Sequence, residues 1–508
     1  MAVTGAPPVP QDVKDSYRGP FGATLNWNPS DDDTYRKISL DFQVPLSYRG
    51  LEGGRITVHA ELLWDFKDND ATRNVTWQEA CVNRKWLVFL CGGPGDRNPY
   101  DRSARFNELM LKRGYCILFP DYRGTGQSTP VTAQSLQDRF PVEAKTTTAG
   151  LVDYLSLFRQ DNIVRDLEAM RQAIEETELP MDISIKFTLH GQSFGGWVAL
   201  TYLSFLPRSL DEVYLTAGLA PITKTPEEIY RRLFGRLVTA NERYYEIYPA
   251  DVNRVKEIFR TLDDRGENYR VPDGSQRILN ARMFLTLGRQ LIGGTPGFNK
   301  VHHFVVSLHN HLRAQMEADN EDTGIPESLL LQFGDIEGFK LYSRPLYGML
   351  HEAIYCAWPG VQSNWAAFRV GRTIAGYNWL DADFDINDAP EKLYFSGEMI
   401  YHFMMDNLRS DLLRQAAEGL AQKNDWPFLY DSAVLGRSQV GLRALVFPED
   451  LAVDFDSGND TLDAVGASTA IPADESWEHG SLRTRTDDVI QMLYENRGAN
   501  WRQPAYGG

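Results

Sequence analysis

A chain of 508 residues can hold one large core with an insertion, or about three average domains. Its 43% hydrophobic and 24% charged residues describe a globular protein, and a formal net charge of −17 with no basic stripe argues against nucleic acid as a partner. No apolar run approaches a membrane span, and the start "MAVTGAPPVPQDVKD" has no basic cluster followed by an apolar stretch, so a soluble, cytoplasmic protein without a membrane partner is expected.

The segments "KISLDFQVPL" and "GRITVHAELLW" are β-type runs separated by a glycine-containing turn, which predicts an antiparallel hairpin. A parallel core then begins. "KWLVFLCGG" is an apolar run ending in glycines, "ARFNELMLKRG" is helical with a glycine stop, and "YCILFPDYRG" is a second strand closed by a turn. The helix "NIVRDLEAMRQAIEET" follows, then a strand at Ile183–Leu189, a helix at Gly195–Leu206 and a strand in "VYLTAGLAP". Strands alternating with helices predict an α/β fold, a mostly parallel sheet flanked by helices.

After Pro221 that rhythm is lost. Thr225 can cap a helix with Pro226 at its first position, Glu227 and Glu228 in its first turn, and Ile229, Leu233 and Leu237 on one face. The strand pattern returns at "GLRALVF", and a terminal helix is expected over Thr486–Asn496. The chain thus divides into a first core part (1–221), a large, mainly helical cap (222–430) inserted late, and a second core part (431–508).

Within this order, "GQSFGG" sets Ser193 between glycines where a strand passes into a helix, the context in which G-x-S-x-G holds a serine in a strained turn as a nucleophile. A serine hydroxyl needs a base, and the base needs a carboxylate to orient it. Chain order Ser, acid, His leaves His479 in "ESWEHGSLR" as the base, since it alone among nine histidines follows the returning strand. The loop "PEDLAVDFD" offers Glu449, Asp450, Asp454 and Asp456. Asp450 is preferred as the acid because it lies three residues past the strand end, whereas Asp454, its main rival, and Asp456 fall toward the next structural element. Backbone donors for an oxyanion are expected from Phe194, after the nucleophile, and from Gly93 in "CGGPG".

"GGPG", "DYRGTGQS", "GQSFGG", "GLAP", "HEAIY", "SGEMIY" and "EHGSLR", in this order, resemble the proline iminopeptidase (prolyl aminopeptidase) family of α/β-hydrolases across nearly the whole chain. The resemblance implies an α/β-hydrolase fold with a helical cap, a metal-independent Ser-Asp-His mechanism and release of an N-terminal residue, often proline, from a small peptide or amide. It supports Asp450 through "PED". It also departs from the family pattern at Cys91 before GGPG and Tyr122 in D-x-R-G, where members commonly carry His or Gln and Gln. Asp121 and Arg123 are expected to hold the turn after their strand as buried charges.

An exopeptidase must hold a free amine, and a cation away from water requires counter-charge. The resemblance points to the cap motifs, where Glu352 and Glu398 are the candidate substrate-binding carboxylates. An esterase or amidase acting on a small metabolite, and a non-catalytic ligand receptor, are the rival functions. His302, His303, His309 and His311 gather in "VHHFVVSLHNH" without metal-ligand spacing, so no metal and no cofactor is expected. Cys81, Cys91, Cys116 and Cys356 show no C-x-x-C pair and are expected as free buried thiols.

Overall fold

Burial alternates along an early strand and is continuous along the central ones, and the pairing likewise divides one sheet into an antiparallel and a parallel half. In the computed structural model, which describes residues 6–30, 32–49, 54–140, 147–318 and 324–495, β1 (Thr24–Ser30), β2 (Tyr35–Pro45) and β3 (Arg55–Phe66) form an antiparallel meander. The alternation in β2 is that of an antiparallel strand with one wet face. By contrast β4 (Lys85–Leu90), β5 (Tyr115–Pro120) and β6 (Phe187–Gln192) are buried almost throughout, as parallel strands covered on both faces must be. β7 (Leu210–Thr216) comes next. A separate short ribbon pairs β8 (Tyr269–Arg270) with β9 (Ile278–Leu279), and β10 (Gly441–Val446) and β11 (Ser468–Pro472) return to the main sheet.

The nine-stranded sheet runs β1-β2-β3-β5-β4-β6-β7-β10-β11. Every neighbouring pair from β5 to β11 is parallel. The chain steps from β4 to β5 on one side, then crosses back to β6 on the other side of β4, so the strand order reverses there. At such a reversal the loops leaving adjacent strand ends diverge and open a crevice. The register Leu90↔Gly191 between β4 and β6 brings the loop after β4 level with the turn after β6.

Between β7 and β10 the described chain is mostly helical. The helix Pro226–Ile247 begins with a capping box in which the Thr225 hydroxyl accepts from the Glu228 N–H and the Glu228 carboxylate accepts from the Thr225 N–H, and Ile229, Leu233 and Leu237 are buried. This segment is tied back to the core by Arg159, a fully buried guanidinium ahead of the helix Gln160–Glu178. It pairs with Asp161 at 2.9 Å and donates to the carbonyls of Ala353, Cys356 and Pro427.

Several expectations shift. The strand before Ser193 starts at Phe187, because Ile185 N–H is already bonded to the Glu175 carboxylate at 2.6 Å. The terminal helix spans Thr486–Ile490 and continues as a wider turn over Gln491–Glu495, while Asn496 lies outside the described residues. Asp121 and Arg123 are both buried, but not as a pair with each other. Arg123 grips Asp166 with two nitrogens at 2.6 and 2.7 Å and donates to three carbonyls, whereas Asp121 accepts from Asn98 and from Gln127 N–H. Among the described residues no helix is long and apolar enough to cross a membrane.

Candidate active site

The turn after β6 is built by what its glycines lack. A methyl group on Gly195 would fall 2.0 Å from the Leu90 carbonyl oxygen, and one on Gly196 would fall 1.7 Å from that of Gly218. The helix Phe194–Phe205 therefore starts pressed against the neighbouring backbone, and the chain has to turn sharply to enter it. Ser193 makes that turn at φ 53° and ψ −127°, a region that L-residues avoid, and its N–H is held by the Thr216 carbonyl at 3.1 Å. The side chain is thereby lifted out of the ladder toward the crevice.

His479 reaches it from the segment after β11. Its Nε2 lies 2.9 Å from Ser193 Oγ, and its Nδ1 lies 2.8 Å from Asp450 Oδ2. A carboxylate only accepts, so Nδ1 carries the proton and Nε2 is left to accept from the serine hydroxyl. Asp450 follows β10, is 2% exposed, and its other oxygen accepts from the N–H groups of Ala452 and Val453 at 2.8 and 3.1 Å. Burial alone would depress the His479 pKa. The Asp450 charge and hydrogen bond, with a further pull from Glu398, outweigh that and raise it above the ordinary value.

Asp454 is engaged elsewhere. It caps the helix Phe455–Ala464 through the Ser457 N–H at 2.9 Å and pairs with Arg236 at 3.2 Å. Arg236 also donates to the Pro448 carbonyl at 2.6 Å, so it braces the loop that carries Asp450.

The loop after β4 adjoins the serine: a methyl on Gly92 would lie 3.3 Å from Ser193 Cβ, and one on Gly93 would lie 3.8 Å from the Phe194 ring. Gly93 has φ 138°, which only glycine adopts freely. Gly95 stands against the backbone of Tyr347, and Asp96 is ion-paired with Arg344, so this loop also meets the helix Pro345–Leu350.

The two glutamates differ. Glu398 is half-buried, accepts from Arg289 at 3.2 Å and from the Tyr347 hydroxyl, and senses the charge of His479. Burial would raise its pKa, but Arg289, His479, His351 and Tyr347 together hold it at about 2. Glu352 is buried and turns both oxygens onto the N–H groups of Ala366 and Ala367, at 3.1 and 2.9 Å, at the start of the helix Ala366–Gly371. Burial raises it to about 7 despite those bonds. Arg289 carried no signal in the sequence, standing 109 residues from the carboxylate it pairs with.

The histidines of the helix Gly294–Glu317 go separate ways. His302 bonds Asp251, His309 bonds Glu257 and His311 bonds the Gly324 carbonyl. All four cysteines are free and buried.

Residues 85–259 match a family described as alpha/beta hydrolase fold. The chain is 33% identical over 419 residues to a proline iminopeptidase of Aeromonas sobria, a match covering 80% of this chain and 86% of that one. It is 31% identical over 412 residues to the proline iminopeptidase aneH of Aspergillus aculeatus, covering 80% and 84%. Among solved structures, a proline iminopeptidase of Mycobacterium smegmatis aligns at 12% identity with a TM-score of 0.36, covering 87% of this chain and 95% of that one.

Proposed function

Because this chain belongs to the proline iminopeptidase family of α/β-hydrolases, we propose that it is a serine exopeptidase releasing an N-terminal residue, preferentially proline, through an acyl-enzyme on Ser193. The observation that carries this reading is the continuous relay from Asp450 through His479 to Ser193 Oγ, at 2.8 and 2.9 Å. Ser193 Oγ attacks the scissile carbonyl as Nε2 takes its proton, and Asp450 stabilises the imidazolium that forms. The N–H groups of Gly93 and Phe194 receive the oxyanion. His479 returns the proton to the leaving amine, and water, activated by the same base, frees the acyl group.

We assign residues 222–430 as a cap over this crevice, and Glu398 as the counter-charge for the substrate's ammonium, because it combines ionisation with proximity to His479. Glu352, with both oxygens bound to backbone, acts one layer behind by fixing the helix Ala366–Gly371. A second reading, an esterase or amidase acting on a small metabolite, draws support from Arg289. Its pairing with Glu398 offsets the negative charge an ammonium would seek.

Wild-type protein treated with a fluorophosphonate should be labelled at Ser193. Proline arylamides should be hydrolysed far faster than their N-acetylated forms. Equal rates on the two would favour the second reading, and absence of labelling would exclude both.

A further inference from the structure

The geometry points to Tyr122 as a positioning residue that sets the spacing of the two oxyanion donors, an inference that rests on the acyl-enzyme reading above. Tyr122 is 2% exposed and lies two residues beyond β5. Its hydroxyl donates to the Cys91 carbonyl at 3.1 Å, and its ring meets the Phe194 ring edge-on, centroids 6.0 Å apart and planes at 82°. One side chain thus touches the chain just ahead of Gly93 and the residue after the nucleophile.

The Cys91 carbonyl is also where the two donor loops press together, since a methyl on Gly195 would lie 3.0 Å from its oxygen. Cys91 is succeeded by Gly92 and Gly93, with no side chains to restrict rotation of the peptide planes between them. Anchoring the Cys91–Gly92 plane removes one of the two freely turning planes ahead of Gly93, which narrows the range of directions its N–H can take. Tyr122 is itself fixed, because its carbonyl accepts from the Thr125 N–H at 2.9 Å and the Thr125 hydroxyl at 2.8 Å.

Oxyanion donors act at 2.7–3.1 Å from an oxygen charged only in the transition state, so loosening one should slow the chemistry and leave ground-state binding alone. Tyr122→Phe removes the hydroxyl and keeps the ring. Its kcat on a proline arylamide should fall by roughly 10-fold, a fraction of the 10²–10³ lost when a donor is deleted outright, with KM unchanged. Affinity for a boronic acid analogue of proline should weaken in parallel, while inhibition by free proline stays the same. Thr125→Ala, which removes the hydroxyl bonded to the Tyr122 carbonyl and leaves the tyrosine side chain unaltered, should give a smaller loss of the same kind, and keeps the test open if Tyr122→Phe does not fold. Wild-type kcat in both variants would overturn the inference, as would equal weakening of boronate and proline. Retained hydrolysis in Ser193→Ala would instead remove the acyl-enzyme reading, and this inference with it.

Discussion

Glu398 stands 3.2 Å from Arg289 on one side and, on the other, close enough to His479 for each charge to favour the ionised form of its neighbour. The negative charge of Glu398 raises the His479 pKa, and kcat/KM depends on neutral His479. Glu398→Gln should therefore move the acidic limb of the pH profile to lower pH. It should also cut kcat/KM on proline arylamides by roughly 30-fold or more, the equivalent of about 2 kcal/mol for truncating one member of a charge pair that bound substrate covers. An activated acetate ester has no amine and should lose much less. Equal losses on both substrates, measured across the pH range, would argue against an ammonium site at Glu398.

Ser193→Ala should leave a folded protein whose kcat is lower by roughly 10⁴ to 10⁶. Steady-state hydrolysis beside circular dichroism checks both halves, and substantial turnover in the purified variant would reject the nucleophile.

Asp450→Asn and Asp454→Asn separate two roles that adjoin in sequence. The first disturbs the His479 tautomer and should lower kcat by about 10⁴ with little change in melting temperature. The second weakens a helix cap and the Arg236 pair and should cost about 1 kcal/mol of stability, with kcat nearly intact. A larger kcat loss in Asp454→Asn would reverse the assignment.

Glu352 titrates at about 7 in the fold against 4.5 for the ordinary carboxyl. The unfolded chain gives up this proton first, so stability falls as pH rises from about 4.5 to 7, by about 3 kcal/mol once the group is fully ionised. Glu352→Gln keeps one neutral acceptor for the two backbone N–H groups, leaves the other unpaired at a cost that does not vary with pH, and abolishes that titration. Urea midpoints at pH 5 and pH 8 should differ less in the variant than in wild type; an unchanged difference would show that Glu352 is already ionised at little cost.

The core was readable because its signals are local. Gly191, Ser193 and Gly195 sit where an apolar run meets a helical one, and His479 stands alone past the returning strand. Edge strand β1 escaped notice since "TLNWNPS" is mostly exposed and carries two asparagines and a proline, so neither alternation nor composition marks it. β11 is short and largely half-buried, with the same result. The partners of buried charges were hidden for another reason. Arg123 finds Asp166, 43 residues on, and Glu398 finds Arg289, pairings that depend on how helices lie across the sheet and leave no trace in spacing. Cys91 and Tyr122 stood out only as departures from a family pattern, and their contact became visible once β4 and β5 were side by side.

The backbone pose of Ser193 gives the protein an unused reserve. A non-glycine residue at φ 53°, ψ −127° holds about 1–3 kcal/mol of conformational strain, and only the reaction requires a side chain there. Glycine at this position would release much of that strain, so an inactive Ser193→Gly protein should outlast the active enzyme in heat or denaturant, even after allowance for glycine's greater freedom when unfolded. Turnover and durability are opposed at this one residue, and engineering for longevity has to find its gains elsewhere.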